Sequence, residues 1–395
     1  MQRILCVHQG AELYGSDRSF ASAVNGLKKT NKVDVVLPFN GELVEYLDKN
    51  NGQIWFNSNG ILRKKDVKKT LNFLFNTVRG VKYYLHLYKR YDVIYINTVV
   101  MLSALVAAMF YRFCSKKKIF CHVREIPTGR QLSFFKLLFK IIGVRLIYNS
   151  VATYKAFNLP GDVVYNGVPD PTREFDEKNI QYDAYNIKLL LIGRINTWKG
   201  HQLLIDSLIN ADEHSKGELP FQLRIVGSAF EGYEFLLDEL KTKINDNNLQ
   251  NNVKFYEFAK NPSEHFSWAN YIIVPSSKPE PFGRVAVEAF AMQRPVIAAN
   301  HGGLSEIVTH GCDGFLFLPN NVDELVETLL SLTNITEPEY QTLSNNARAK
   351  YEALFSESKY QYNLINIILG KINERIDYHR YSWGPCSAWR VRDIC

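Results

Sequence analysis

The sequence predicts an α/β protein made of two doubly wound domains. Short β-branched segments alternate with helical patterns along the 395 residues, as in βαβ units with parallel sheets. The turn-rich residues 166–171 interrupt this alternation, and a second alternation follows. Hydrophobic residues form 46% of the chain and charged residues 22%. This composition excludes disorder over most of the chain, because there is ample apolar surface to bury.

Six strand candidates lie in each alternation. Those of the first are residues 3–8, 33–38, 53–56, 93–96, 119–123 and 145–148. Those of the second are residues 187–192, 222–226, 253–256, 271–275, 296–299 and 314–318. After Asp323 the chain has helical patterns to about residue 376. In paired domains of this class, ligands bind beyond the carboxyl ends of the strands, in the cleft between the domains.

These patterns divide the chain into five parts. We predict a first domain at residues 1–168, a linker at 169–186 and a second domain at 187–355. A helix at 356–378 would cross back to the first domain, and a tail follows at 379–395.

The charge of the chain is uneven. Residues 1–150 hold 24 Lys and Arg against 9 Asp and Glu, whereas the remainder holds 23 against 31. A basic first domain indicates a polyanionic partner, which can be nucleic acid, a membrane surface or a phosphorylated substrate. Nucleic acid ranks last of the three, because no motif interleaves aromatic and basic residues.

Residues 93–111 contain no charge and are near the lower length limit of a membrane-spanning helix. The polar Asn97, Thr98 and Ser103 favour a buried strand at 93–96 followed by a helix at 99–110. The amino terminus starts directly as a strand and lacks the layout of a signal peptide. We therefore expect a cytoplasmic protein, peripheral on the inner face of the cell membrane if it binds lipid.

The first motif follows the strand candidate at 271–275. Pro281 is suited to the first turn of a helix, so the backbone N–H groups of Phe282, Gly283 and Arg284 would form an anion site for a diphosphate. Glu280 directly precedes this start and Glu288 lies seven residues after Pro281, so each carboxylate can hold a sugar ring. The alternative is a surface helix with two solvated glutamates.

The second motif joins the strand candidate at 187–192 to a helix. Arg194 can bind phosphate oxygens with both arms of its guanidinium, and Lys199 can act as a point charge. The chain contains no D-x-D sequence. Fixed cations would therefore replace a metal ion at a diphosphate, so we expect no metal and no cofactor. The alternative is that both are surface cations.

Two weaker motifs lie in the first half. Gly15 stands in a glycine turn after the first strand, where backbone can approach a phosphate, although an ordinary βα loop explains it equally well. His122 stands at the end of a strand candidate, where catalytic groups collect. A single histidine there is more often a structural hydrogen-bonding group.

Together these residues resemble glycosyltransferase family 4, the retaining nucleotide-sugar transferases of GT-B fold. The second-domain motifs are G-R-x(4)-K-G at 193–200, E-x7-E at 280–288 and the segment 302–308. Segments 37–43, 92–97 and 122–126 resemble the more variable first domain. The likeness extends over about residues 1–370.

The resemblance implies a role for each site residue. Arg194 and Lys199 would hold the donor diphosphate, and Glu280 would contact hydroxyls of the transferred sugar. Phe282 and Gly283 would offer backbone amides nearby, and Glu288 would hold the ribose. Gly15 would touch the phosphates, and His122 would lie near the transferred sugar.

We therefore predict a retaining, metal-independent glycosyltransferase that transfers a sugar from a nucleotide diphosphate sugar to a cell-envelope glycan or lipid-linked acceptor. Two alternatives remain open. One is another enzyme of this fold, such as a nucleotide-sugar epimerase or a phosphorylase. The other is a non-catalytic, nucleotide-binding membrane partner.

An anionic membrane surface is a further expected partner. Lys136 and Lys140 lie among Phe134, Phe135 and Phe139, and we expect these rings to insert into lipid beside the two lysines. Lysines at 64, 65, 68 and 69 would add positive charge. A buried helix with a solvated lysine face explains the segment equally well.

Overall fold

The structure, a computed structural model, describes residues 2–47, 50–62, 70–111, 117–171, 181–229 and 232–371. These residues form two compact units. The first unit runs from the amino-terminal strand to Gly167 and includes the helix that begins at Glu357, and the second runs from Val168 to Ser356. The predicted tail at 379–395 and the lysines at 64, 65, 68 and 69 lie outside the described residues.

Within the described part of the first unit, seven parallel strands form one sheet in the order β3-β2-β1-β4-β5-β6-β7. These strands are β1 (Arg3–His8), β2 (Lys32–Leu37), β3 (Ile54–Phe56), β4 (Val93–Asn97), β5 (Lys118–Val123), β6 (Arg145–Tyr148) and β7 (Gly161–Val163). The sequence did not predict β7, because three residues are too few to show a β-branched run.

The helices of the first unit cover both faces of its sheet. They are α1 (Gly15–Lys28), α2 (Leu43–Tyr46), α3 (Thr70–Tyr88), α4 (Leu102–Tyr111), α5 (Gly129–Ile142), α6 (Val151–Phe157) and α14 (Glu357–Leu369). Successive strand residues point to opposite faces, so Leu5 and Val7 pack in one core cluster, and Ile4 and Cys6 pack in the other. A parallel sheet buried on both faces requires such continuously apolar strands.

In the described part of the second unit, six parallel strands form a sheet in the order β10-β9-β8-β11-β12-β13. They are β8 (Ile187–Ile192), β9 (Phe221–Val226), β10 (Val253–Tyr256), β11 (Tyr271–Val274), β12 (Val296–Ala299) and β13 (Gly314–Phe317). The predicted α/β class with two doubly wound sheets is confirmed.

The second unit has its own set of helices. They are α7 (His201–His214), α8 (Glu234–Asp246), α9 (Ser263–Trp268), α10 (Arg284–Ala291), α11 (Leu304–Ile307), α12 (Val322–Ser331) and α13 (Glu337–Lys350), with short 3₁₀ and π-helical turns at Leu332–Asn334 and Tyr351–Phe355. Tyr182 falls in the predicted linker, yet it stacks on Tyr340 in the core of this unit, with ring centroids 4.6 Å apart.

Helix α14 lies against α1 within the first unit. The Tyr360 hydroxyl donates a hydrogen bond to the Ser19 carbonyl at 3.2 Å, and the Gln361 side-chain amide donates to the Ser22 carbonyl at 3.1 Å. Buried apolar residues such as Leu364 and Ile368 add to this contact. The final described helix of the chain is therefore part of the first unit.

The uncharged segment 93–111 forms strand β4 and helix α4, as predicted. Among the described residues, no helix is long and apolar enough to cross a membrane. Phe135 and Phe139 are each only 4% exposed and belong to the core. The prediction that these two rings insert into lipid is therefore wrong, because they face the sheet.

Candidate active site

Two loops meet at the carboxyl edge of the second sheet, where the strand order reverses between β8 and β11. One loop follows β8 and ends in Gly200, and the other follows β11. The Ser277 amide donates a hydrogen bond to the Trp198 carbonyl at 2.8 Å, which ties the loops together. Gly200 has a φ of +79°, and a Cβ there would lie 1.9 Å from the Pro275 carbonyl oxygen. Only glycine therefore allows this approach.

The two loops bring together Lys199 and Glu280, which belong to two separate sequence motifs. The Lys199 ammonium lies 2.7 Å from the Glu280 carboxylate, and their side chains are 18% and 10% exposed. The Ser276 hydroxyl donates to the same carboxylate oxygen at 2.5 Å. The ammonium also lies 4.7 Å from the centre of the Trp198 ring, a cation–π distance. The result is a fixed, largely desolvated ion pair at the switch point of a doubly wound sheet, where such folds bind ligands.

The charge state of Glu280 follows from two opposing effects. Burial disfavours its ionised form, but the Lys199 charge and the hydrogen bonds from Lys199 and Ser276 favour it more. The pKa of Glu280 is therefore lower than its ordinary value. The carboxylate remains ionised at neutral pH, so it can accept hydrogen bonds from hydroxyl groups.

The loop after β12 holds the Glu280 backbone in place. The Gly303 amide donates a hydrogen bond to the Glu280 carbonyl at 2.8 Å, and the His301 ring donates to the Ser276 carbonyl at 2.8 Å. Burial lowers the pKa of His301, so its imidazole is neutral at pH 7. Sequence reasoning missed Ser276 and His301, although both directly follow strands.

Helix α10 begins later than predicted. Its first residue is Arg284 and its N-cap is Gly283, with a φ of +114°, so the predicted start at Pro281 is wrong. No side-chain hydrogen bond caps this helix. The Phe282 ring is buried, 6.0 Å from that of Phe355. The positive end of the helix dipole therefore lies beside Gly283, directly after the Glu280 loop.

The first turns of α10 carry the second glutamate of the motif. The Arg284 guanidinium lies 2.8 Å from the Glu288 carboxylate, one helical turn away. Both side chains are partly buried. Arg194 is also partly buried and lies in the loop after β8, five residues before Lys199. These residues share the carboxyl edge of the sheet with the ion pair, and their predicted donor contacts stay predictions.

In the first unit, Gly15 is the exposed first residue of α1. Two residues later, Asp17 accepts a hydrogen bond from the buried His8 ring at 2.6 Å and another from the Tyr14 amide at 2.9 Å. Asn97, at the end of β4, donates to the other nitrogen of His8 at 2.8 Å. This network fixes the start of α1 against the ends of two strands, and sequence reasoning missed His8.

His122 is completely buried on β5. The Tyr95 hydroxyl lies 2.6 Å from its Nδ1 atom, and Arg124 lies 3.3 Å from the same atom. Burial, together with the Arg124 charge, lowers the pKa of His122 well below its ordinary value, so the ring is neutral. The role of His122 beside a sugar stays a prediction, and it requires exposure of a ring that this structure encloses.

Arg124 joins several elements of the first unit. Its guanidinium is buried and donates hydrogen bonds to Asn97 and Asn166 and, at 2.9 Å, to the hydroxyl of Tyr360 on α14. Across the part of the chain that the structure describes, no group of three or more His, Cys, Asp or Glu side chains could hold a metal ion.

Two doubly wound parallel sheets, one in each unit, are the architecture of the GT-B class of glycosyltransferase folds. Residues 172–350 match the family model described as glycosyl transferases group 1, so the second unit is a domain of this family. The predicted resemblance is confirmed at this level.

Known proteins agree with this assignment. An uncharacterized glycosyltransferase of Methanocaldococcus jannaschii is 33% identical over 204 residues, 50% of each chain. The capsular polysaccharide biosynthesis glycosyltransferase CapM of Staphylococcus aureus is 26% identical over 247 residues, 61% of this chain and 60% of that one. The chain thus spans about half the length of the first relative.

Solved structures share the fold of the whole described chain. HepE of Anabaena, solved in complex with UDP and glucose, has a TM-score of 0.73. It is 24% identical, and the match covers 94% of this chain and all of that one. At this identity the likeness establishes the fold.

Proposed function

We propose that this protein is a retaining glycosyltransferase that transfers a sugar from a nucleotide diphosphate sugar to a cell-envelope glycan or lipid-linked acceptor. The observation that carries the proposal is the Lys199–Glu280 pair in a domain of the group 1 family. The UDP and glucose bound to HepE, and the capsular role in the name of CapM, support the donor class and the acceptor class.

The chemistry assigns separate tasks to the two partners of the pair. When the bond between the anomeric carbon and the diphosphate oxygen breaks, negative charge develops on the leaving diphosphate. Lys199, Arg194 and the amino-terminal end of α10 stabilise that charge. Glu280, ionised at neutral pH, accepts hydrogen bonds from hydroxyls of the transferred sugar. These fixed groups need no reorganisation as the charge develops.

The anomeric configuration is retained if the bond to the acceptor forms on the same face of the sugar from which the diphosphate leaves. The acceptor oxygen then forms its bond to the anomeric carbon as the diphosphate leaves, and the acceptor proton passes to a diphosphate oxygen. Because Lys199 and Arg194 supply fixed positive charge, we propose that the reaction is independent of a metal ion.

Nuclear magnetic resonance of the product tests stereochemistry and metal dependence together. The donor sugar is transferred with and without EDTA, and the configuration of the new glycosidic bond is compared with that of the donor. The proposal predicts the same anomeric configuration and full turnover in EDTA. An inverted product would refute retention. Activity that is lost in EDTA and restored by added magnesium or manganese would refute metal independence.

A membrane surface is the second part of the proposal, and α3 carries it. Leu71, Leu74, Phe75 and Val78 are 54–73% exposed and recur at the spacing of one helical face. Helix α4 packs on α3 and contacts α5, which exposes Phe134, Leu137 and Ile141. Residues 51–150 hold 18 Lys and Arg against 3 Asp and Glu. Exposed apolar residues on a basic domain suit an anionic lipid surface, where a lipid-linked acceptor is found.

A further inference from the structure

A pocket of about 570 Å³ surrounds the amino-terminal end of α7 in the second unit. Its volume lies within the range of small-molecule sites. Lys199 and Glu280 do not line it, although Thr197 and Gly200 of the same loop do. The pocket therefore adjoins the loop that carries Lys199 but is not lined by the two residues of the ion pair.

His201, the first residue of α7, lines this pocket and is 2% exposed. Neither of its ring nitrogens has a hydrogen-bond partner among the described residues. Burial, and secondarily the Lys199 charge, lower the pKa of His201 to about 4, so the ring is neutral at pH 7. A neutral imidazole offers one donor and one acceptor, and burying both without partners is costly.

Other polar groups face the same space. No side chain caps α7, whose N-cap is Gly200, so amide N–H groups of its first turn are available as donors. Gln202 and Asn320 also line the pocket, and their amide nitrogens donate to Asp206 and to the Ser277 carbonyl, respectively. These groups complement a ligand with several hydroxyls, each of which both donates and accepts.

The charges and the apolar lining narrow the class of ligand. Among the lining residues, Asp206 is paired with Lys243, and Glu239 adds a further carboxylate, so the lining has a net negative charge. This balance disfavours an anion such as a phosphate. Leu236 and Leu240 of α8 supply an apolar wall, against which the C–H face of a sugar ring can pack.

We propose that this pocket is a second binding site, separate from the donor site, for a neutral sugar of one or two rings. His201 and the first turn of α7 hydrogen-bond the sugar, and the leucines of α8 contact its apolar face. Since the pocket shares the 197–200 loop with Lys199, an occupied pocket also restrains the loop that carries this cation.

Histidine ring resonances of the full chain report on the pocket directly. The protein is labelled with ¹⁵N-histidine and titrated separately with glucose, N-acetylglucosamine, maltose and inorganic phosphate. The His201 signals are identified by their loss in His201→Phe. We expect at least one sugar to shift them saturably and phosphate to leave them unchanged. No saturable shift with any sugar, or a shift with phosphate alone, would overturn the proposal.

A variant that fills the pocket distinguishes binding here from binding at the donor site. This second test does not require His201→Phe to fold. Leu236→Trp should weaken sugar binding by about tenfold or more, as expected for the loss of one or two contacts. Phe235→Trp is the matched control, because Phe235 is the exposed neighbour on α8 and does not line the pocket. Sugar binding that survives Leu236→Trp but is lost in Lys199→Ala would place the sugar in the donor site and refute the proposal.

Discussion

At the scale of single residues, the Lys199–Glu280 pair dominates the second unit. An ion pair so little exposed is stable only because each charge has several partners, here Ser276 and Trp198 in addition to the pair itself. In the proposed reaction, a bound diphosphate would give Lys199 a second anionic partner in addition to Glu280. The pair therefore presets the position of the ammonium before the donor binds.

Lys199→Ala and Arg194→Ala should each lower turnover by about 100- to 1,000-fold, because each removes a charge that stabilises the leaving diphosphate. Release of nucleoside diphosphate measures this directly. Lys241→Ala, at an exposed lysine of α8, is the control and should retain normal turnover. Near-normal turnover in both site variants would show that neither cation contacts the diphosphate.

The stability of the pair should depend on pH in a defined direction. The folded pKa of Glu280 is below its unfolded value of about 4.3. Its contribution is therefore complete above that value and is lost as pH falls through the folded pKa. Urea unfolding should show Glu280→Gln to be less stable than wild type by about 1–3 kcal/mol at pH 7, with a smaller difference below pH 4. A difference that grows on acidification would contradict this assignment.

At the scale of elements, close backbone approach decides the geometry of the site. Gly200 lets the loop after β8 reach Pro275, and the Gly303 amide holds the Glu280 carbonyl. Both contacts join segments that are distant in sequence. The side chains of Lys199 and Glu280 meet because these backbones meet.

Gly200→Ala should abolish most turnover and destabilise the chain, because its Cβ would collide with the Pro275 carbonyl. Gly217→Ala is a matched control near the other end of α7, since its φ is +83° and a Cβ there would meet nothing within 4 Å. The control should lose only the roughly 1–2 kcal/mol cost of a left-handed alanine. Thermal unfolding and turnover of both variants test this, and equal losses in the two would show that the approach to Pro275 is unimportant.

The exposed face of α3 makes a separate prediction. Phe75→Ser with Leu74→Ser should weaken binding to anionic vesicles without lowering turnover on a soluble acceptor, because these residues lie outside the second unit. Vesicle sedimentation measures it, with zwitterionic vesicles as the control lipid. Wild type should bind anionic vesicles alone, and less at high salt, which screens charges beyond about 8 Å at physiological strength. Equal binding of wild type and variant would assign the apolar face another role.

Much of the fold could be predicted from the sequence, because buried parallel strands are continuous β-branched runs with helices between them. Residues 187–192 and 253–256 were predicted with the bounds of β8 and β10. The start of α10 was not, since Pro281 is a favourable first helical residue and the left-handed Gly283 is invisible in a sequence pattern. The sequence also does not predict that Phe135 and Phe139 face the core, because α5 has apolar residues on more than one face.

The candidate site was predicted in part for a similar reason. Motifs after strands identify Lys199 and Glu280, since the carboxyl ends of neighbouring parallel strands share one edge of the sheet. Ser276 contacts Glu280 within the loop after β11, and His301 reaches that loop from the one after β12; a linear pattern encodes neither contact. His122 was also chosen because it stands near the end of a strand, yet its side chain is fully buried. The position of a residue along a strand does not determine how exposed its side chain is.

At the scale of the whole molecule, the two units differ in charge and in what they expose. The first is basic and presents apolar residues on α3, α4 and α5. The second contains the ion pair, the uncapped helix α10 and the match to the glycosyl transferases group 1 family. We therefore propose donor binding by the second unit, and acceptor and membrane contacts by the first.

Stabilisation of the full chain by nucleotide sugars tests the central claim most directly. A donor that binds the folded but not the unfolded chain should raise the free energy of unfolding of the protein by about 2.7 kcal/mol when its concentration is 100 times the dissociation constant. The measurement is chemical unfolding of wild type and Lys199→Ala with each member of a panel of nucleotide sugars. We predict that at least one member stabilises wild type and, at the same concentration, stabilises Lys199→Ala much less. Stabilisation by no member, or equal stabilisation of both proteins, would contradict a donor site at the Lys199–Glu280 pair.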